Sequence, residues 1–158
     1  MIGKEMGMKD TNYVFRQIGP EELNGIRELF TAVFTQAPWN DDWSDTEQLD
    51  RLLLDLVGQS NSLTYAMFAG DEMIALSMGR IKHWYTGTEY CIDELCVRTE
   101  RQGQGVGTLF LQQIESAMQE LGSVQIFLHT QRDVPAYHFY RKNDFVEQEG
   151  HVSFAKHI

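Results

Sequence analysis

The residues best suited to chemistry stand in one run, Arg98-Thr99-Glu100-Arg101-Gln102-Gly103-Gln104-Gly105-Val106-Gly107-Thr108. Glycines at 103, 105 and 107 let successive backbone N–H groups point outward with no Cβ in the way. Where such a turn runs into a helix, the positive end of the helix adds to it, and the whole becomes a cradle for an anion such as a pyrophosphate. Nucleoside-triphosphate hydrolysis is disfavoured, because its loop requires Gly-Lys-Ser/Thr and here Thr108 follows Gly107 directly. A dinucleotide fits poorly: glycine is needed where Thr108 stands, and the next strand, ending at Leu128-His129, closes on no acidic residue. The pyrophosphate of coenzyme A remains.

The turn has to be held between a strand and a helix, and the pattern supplies both. Glu89 to Arg98 reads as a strand, while Phe110, Ile114, Ala117, Met118 and Leu121 recur at helical spacing ahead of Gly122, which is placed to stop the helix. Upstream, Tyr13 to Ile18 alternates like a strand, and Gly19-Pro20 opens a helix with Leu23, Ile26, Phe30, Val33 and Phe34 on one face. Ser44-Asp45-Thr46-Glu47 reads as a capping box before a second helix that carries Leu49, Leu52, Leu53, Leu56 and Val57 and ends near Gly58. Leu63 to Ala69 and Met73 to Lys82 form a hairpin about Gly70-Asp71-Glu72. After a strand at Val124 to His129, Asp133 is placed to cap a short helix from about Pro135 to Lys142. Phe145 to Val146 and Val152 to Ile158 are expected to close the sheet as a pair of strands. The predicted order is β-α-α-β-β-β-α-β-α-β-β, a single mixed α/β domain over residues 1–158, with 1–12 as a flexible N-terminal segment.

At this point the sequence resembles the GNAT superfamily of acyl-CoA-dependent N-acyltransferases. Gln102-x-x-Gly105-x-Gly107 matches the family's Gln/Arg-x-x-Gly-x-Gly/Ala signature, and Leu95-x-Val97 matches the strand that leads into it. Ala136-Tyr137-His138-Phe139-Tyr140-Arg141-Lys142-Asn143-Asp144-Phe145 is similar to the family's later Ala-x-x-Phe-Tyr-x-Lys-x-Gly-Phe stretch. Three positions depart from the pattern: Gln102 replaces the commoner Arg, Thr99 sits where Pro is frequent, and Asp144 stands where Gly is usual. Asn143 or Asp144 can adopt the left-handed backbone that the glycine would supply, at some cost.

The resemblance implies a sheet splayed at the cofactor site with helices on both faces, and direct transfer of acetyl from acetyl-CoA to an amine, with no metal. Cofactor binding would fall to Leu95, Cys96 and Val97, pairing with the pantetheine arm as an added strand would, and to Arg101, Gln102, Gly103, Gln104, Gly105, Val106, Gly107 and Thr108 around the pyrophosphate. Arg98 and Arg101 flank that turn in an otherwise acidic chain. Tyr140 would protonate the departing thiolate; Tyr137, one helical turn earlier, competes for the role. Asp93 and Glu94 sit beside the thioester as alternative bases, and strand alternation sends them to opposite faces. The acceptor loop of the family falls on Pro38 to Trp43, where Trp39, Asp41, Asp42 and Trp43 suit a protonated amine by cation–π contact and ion pairing. An equally good reading has the two indoles anchoring the loop in the core. Trp84 is a candidate for the other wall.

Composition narrows the partners. The 158 residues carry Lys+Arg 13 against Asp+Glu 23, a net charge of −10, and no basic run, which disfavours nucleic acid and anionic membranes and favours a small-molecule amine. Cys91 and Cys96 lie five positions apart on one strand, so alternation predicts opposite faces and no pairing. Cys96 has no adjacent base and reads as a buried strand residue, not a nucleophile. With no signal-peptide pattern and no membrane-length apolar run, a cytoplasmic location is expected, and the family makes a homodimer an expectation. Two rivals stand beside the small-amine reading: acetylation of protein N-termini or lysines, and a non-catalytic acyl-CoA sensor.

Overall fold

The computed structural model describes residues 12–158, so the expected flexible segment lies, apart from Asn12, outside the described residues. The chain divides after Leu128 into a larger unit and a smaller one, His129–Ile158. In the larger unit a five-stranded sheet runs in the order β1 (Tyr13–Ile18), β2 (Ser62–Ala69), β3 (Glu72–Trp84), β4 (Gly87–Val97), β5 (Gln125–Leu128). The first four strands are antiparallel neighbours, and β5 joins β4 in parallel after a helical crossover.

Helices cover both faces. On one, α1 (Leu23–Phe34) and α2 (Thr46–Val57) bury Ile26, Leu29, Phe30, Leu49 and Leu53 against Ala66, Phe68, Leu76, Met78 and Cys96. On the other, α3 (Val106–Glu120) buries Val106, Phe110, Ile114 and Met118 against Tyr65, Met67, Ile74, Tyr90 and Ile92. Both stripes follow the helical spacing read from the sequence. The α2 cap lies one residue later than expected: Asp45, not Ser44, is the N-cap and accepts from the Gln48 N–H at 3.0 Å, while Glu47 pairs with Arg51 instead of closing a box. At the end of α3, Gly122 takes φ +71 and the Ser123 N–H returns to the Met118 carbonyl at 2.9 Å, the left-handed stop its position predicted.

Two irregularities in the ladder decide where side chains point. Between β2 and β3 the register slips beside Met67/Phe68, where Ile74 is the extra residue. Between β3 and β4 it passes from Met78↔Glu94 to Gly79↔Ile92, leaving Asp93 extra. Beyond this bulge the alternation of β4 is reversed: Tyr90 and Ile92 belong to the α3 face, Leu95 and Val97 also pack there, and Cys96 belongs to the α1/α2 face. Cys91, between Tyr90 and Ile92, therefore points to the same face as Cys96, not the opposite one. The two thiols stay free because several strand steps of ~3.3 Å each separate them, well beyond disulfide reach.

The smaller unit holds α4 (Pro135–Lys142), on the expected bounds. Asp133 does not cap it: the N-cap is Val134, and no side chain caps the helix. At its end Asp144 takes φ 65 and the Phe145 N–H reaches the Tyr140 carbonyl at 3.1 Å, so the aspartate fills the left-handed position in person. The closing strands at Phe145 to Val146 and Val152 to Ile158 do not form. Glu147 to Gly150 leads into a turn, and Val146, Val152, Phe154 and Ile158 stay exposed. Alternation makes a segment strand-competent, but a lone two-stranded pair is marginal at best without further neighbours.

Candidate active site

The site is assembled at the C-terminal half of β4. Pairing with β5 covers only Glu89 to Ile92, matched to Gln125 to Leu128, so among the described residues Asp93–Val97 has β3 on one side and no strand on the other. Half of the peptide groups along that stretch face the gap, which is the splay the sequence led us to expect, and an extended chain can pair there as an added strand. A glycine makes the bulge itself feasible. A Cβ on Gly79 would stand 2.5 Å from the Cys91 carbonyl oxygen and 2.6 Å from the Tyr90 ring, so only glycine lets β3 lie this close to β4. Tyr90 is fixed in turn by Ser77 Oγ at 3.0 Å and by donating to the Leu63 carbonyl at 3.0 Å.

Immediately after β4, a short turn of 3-10 helix at Thr99–Arg101 and the exposed residues Gln102 to Gly105 lead into α3. Gly103 and Gly105 take φ +72 and +81, and nothing lies within 4 Å of where a Cβ would stand on either. The N-cap Gly105 supplies no side-chain cap, and the first-turn N–H groups of Val106, Gly107 and Thr108 have no carbonyl one turn back to bind. These open, positively polarised amides fit an anionic pyrophosphate. The side chains of the turn face inward on its own backbone: Gln102 Nε2 donates to the Val97 carbonyl at 2.9 Å and Gln104 Nε2 to the Glu100 carbonyl at 2.8 Å. The arginines divide their labour. Arg98 donates to the Met73 carbonyl through Nε and Nη2 and pairs with Glu28 at 2.7 Å and Glu72 at 3.1 Å, so it pins the turn to α1 and β3. Arg101 lies at the rim, 3.3 Å from the other oxygen of Glu72.

The two adjacent carboxylates end in different circumstances. Asp93, the extra residue of the bulge, is ion-paired to Arg80. Glu94 follows the reversed alternation onto the α1/α2 face, is partly buried, and has its carboxyl pushed up to about 7, first by burial and then by the charges of Asp41 and Asp93. A carboxyl so placed exchanges its proton near neutral pH. Cys96, on the same face, is fully enclosed, and burial holds its thiol protonated far above the ordinary range, as expected of a strand residue with no base.

The indoles of the loop after α1 are partly buried and pack as the anchoring reading has them. Trp43 lies edge-on to Phe30 at 5.6 Å and Trp39 lies 5.8 Å from Phe34, both against the α1/α2 core. Held in this way, the loop exposes Asp41 and Asp42; Asp42 accepts from the Ser44 N–H at 3.0 Å, and Asp41 is the one whose charge reaches Glu94. Trp84 is not brought to this place. It stands at the tip of the β3–β4 hairpin opposite Gly87, half exposed with Lys82 Nζ 4.1 Å over its ring, and the stretch of β4 from Gly87 to Glu94 spans ~23 Å at ~3.3 Å per residue. Arg80 and Gly79 are the contributors that residue type alone did not single out, although a glycine inside a strand is a recognisable mark of a bulge.

The smaller unit has its own arrangement. Tyr140 packs between Phe139 and Phe145, each at 5.3 Å between ring centres. Tyr137 Oη donates to Glu147 Oε2 at 2.8 Å, and Glu147 also pairs with Arg132. The hydrogen bond to Glu147 raises the Tyr137 hydroxyl above its ordinary range, and the pairing with Arg132 lowers Glu147. Among the described residues no group of three or more His, Cys, Asp or Glu side chains is placed to hold a metal ion, and no helix is long and apolar enough to cross a membrane.

Comparison with known proteins agrees with this fold. The model of the Acetyltransferase (GNAT) family matches residues 23–145. No curated protein matches the sequence significantly. An aminoglycoside acetyltransferase from an uncultured soil metagenomic sample, solved with trehalose, is similar in fold at 21% identity, TM-score 0.72, over 94% of this chain and 98% of that one. AAC(6')-Iy, solved with a bisubstrate analogue of coenzyme A and acetylneamine, is similar at 14% identity, TM-score 0.71, over 92% of this chain and 99% of that one. An integron cassette protein of V. cholerae is similar at 11% identity, TM-score 0.76, over 92% of each chain.

Proposed function

The chain belongs to the GNAT family of acetyltransferases, and from that premise we propose that it transfers acetyl from acetyl-CoA directly to a primary amine of a small cationic molecule such as a polyamine, an aminoglycoside or an amino-acid derivative. The observation that carries this reading is Glu94, partly buried on the open half of β4 with its carboxyl near 7 and the charge of Asp41 beside it. An ammonium group entering there meets negative charge, loses its proton to Glu94 and becomes the neutral nucleophile. Asp93 is occupied by its ion pair with Arg80, and the reading therefore assigns the proton to Glu94.

In this reading acetyl-CoA supplies the activated acetyl group, and the chain's own residues do the rest. The amides from Gly103 to Thr108 hold the pyrophosphate, with Arg101 at the rim. Leu95 to Val97 pair with the pantetheine arm, and an N–H of that edge polarises the thioester carbonyl. Tyr140 returns a proton to the departing thiolate; this role is carried by the sequence motif, and Tyr137, its rival, is already engaged with Glu147. Asp41 and Asp42 favour a substrate with a second cationic group. Relatives of this fold solved with sisomicin or with an acetylneamine analogue lend support to that class.

A panel of polyamines, aminoglycosides and peptides, followed by release of free coenzyme A thiol, tests the proposal. Turnover of small polycations and not of peptides is expected. Binding of acetyl-CoA without transfer to any amine would overturn it in favour of a sensor.

A further inference from the structure

The bulge places an arginine where the proposed base is tuned. Asp93 is the residue without a partner in the β3–β4 register, and across the ladder its Oδ1 is bound by Arg80 Nη1. Arg80 is opposite Cys91, so it shares the α1/α2 face with Cys91, Glu94 and Cys96. Resting on the assignment of Glu94 as the base, we propose that Arg80 is a positioning residue for acetyl transfer: its ion pair with Asp93 at the bulge offsets part of the negative charge that Asp93 brings to Glu94, the carboxyl that exchanges a proton during turnover.

The surroundings of Glu94 make the proposal specific. Its charged neighbours are Asp41 from the loop after α1, Asp93 on its own strand, and Arg80 from β3 through Asp93; Cys96 is its titratable neighbour along the face and stays protonated. The charges that α1 and α2 bring toward the sheet are paired elsewhere, Glu28 with Arg98 and Arg27 with Asp50, and Asp42 is held by Ser44. Loss of Arg80 alone removes one positive charge and leaves the negative charge of Asp93 unopposed, so Glu94 holds its proton to higher pH. Loss of Asp93 alone leaves Arg80 unopposed and has the opposite effect. A residue that merely braced the hairpin would not produce shifts of opposite sign.

The experiment follows the Glu94 carboxyl by carbon-13 NMR titration, and in parallel the acid limb of kcat/KM, in the parent protein, Arg80→Gln, Asp93→Asn and the double variant. The Glu94 midpoint is expected to rise by about one pH unit in Arg80→Gln, to fall by a similar amount in Asp93→Asn and to return close to the parent in the double variant. Midpoints unmoved in both single variants would overturn the tuning by Arg80, whatever the kinetics do. If the midpoints move as expected but the acid limb does not follow them, Arg80 is not tuning catalysis and the assignment of Glu94 as base fails, whereas loss of turnover in Glu94→Gln together with unmoved midpoints would keep the base and discard Arg80. Should Arg80→Gln fold poorly, Arg80→Lys decides: it keeps the positive charge beside Asp93, so the Glu94 midpoint is expected to stay close to the parent, and a midpoint displaced there as far as in Asp93→Asn would overturn tuning by charge.

Discussion

Replacing Glu94 with Gln should make the protein more stable at neutral and alkaline pH while disabling it. In the folded chain the carboxyl is lifted from an ordinary 4.5 to about 7, chiefly by burial. The unfolded chain ionises near 4.5 and the folded one only near 7, so between those values the unfolded state binds fewer protons and stability falls as pH rises; below 4.5 nothing is lost, and above 7 the loss is complete. At about 1.36 kcal/mol per pH unit, that rise amounts to about 3 kcal/mol. Glutamine keeps the shape and cannot ionise, so the variant escapes the loss. Its advantage over the parent should therefore grow by about 3 kcal/mol between pH 4.5 and 8, or roughly 6–12 °C in Tm for a chain of this size. Urea denaturation at a series of pH values measures it, read by tryptophan fluorescence, since Trp39 and Trp43 sit against the same core. A gap between variant and parent that stays constant across pH would refute the reasoning, because Glu94 would then be ionising in the folded chain as it does in the unfolded one. The same variant should lose the acid limb of kcat/KM near pH 7 along with most of its turnover.

Three further substitutions probe the frame that holds the site. Gly105→Val forces a β-branched residue to φ +81, which costs about 1–2 kcal/mol and covers the open cradle; acetyl-CoA binding by calorimetry should be lost, and normal binding would show that this turn does not hold the cofactor. Gly79→Ala drives a methyl group to 2.5 Å from the Cys91 carbonyl oxygen and should cost about 1–3 kcal/mol in urea denaturation, with an unchanged midpoint counting against the close strand approach at the bulge. Asp144→Gly relieves a left-handed aspartate at φ 65; the gain of about 0.5–1 kcal/mol should slow hydrogen exchange at the Phe145 amide about two- to fivefold, and no change would mean that the turn is unstrained.

Much of the frame was legible because it rests on periodicity and on punctuation. The apolar stripes of α1, α2 and α3 lie where 3.6-residue spacing puts them, α4 begins at its proline and ends at Lys142, and Gly122 turns left-handed where the pattern stops. Fine capping was less legible, since Ser44 and Asp45 are both good caps one position apart and only the helix's own phase chooses between them. The terminal strands failed for a different reason. Their alternation is a local property, and a strand exists only with a partner, which no stretch of sequence specifies by itself.

The candidate carboxylates, Asp93 and Glu94, were half legible, and the missing half is the bulge. Period-2 counting from Tyr90 puts Ile92 and Glu94 on one face and Asp93 on the other, which would send Glu94 toward α3 and Asp93 toward the loop that carries Asp41. One extra residue reverses every position beyond it: Leu95 and Val97 join Ile92 on the α3 face, and Glu94 turns with Cys96 toward α1 and α2. The same extra residue lies just past Ile92, where β5 stops pairing, so the place at which the strand changes parity is also the place at which its other edge falls open. A gap for an extended chain and a carboxyl held near 7 are therefore two results of one irregularity. Gly79 permits it from the opposite strand, and a sequence with a larger residue there could keep the acidic pair and lose the arrangement that turns Glu94 toward α1 and α2.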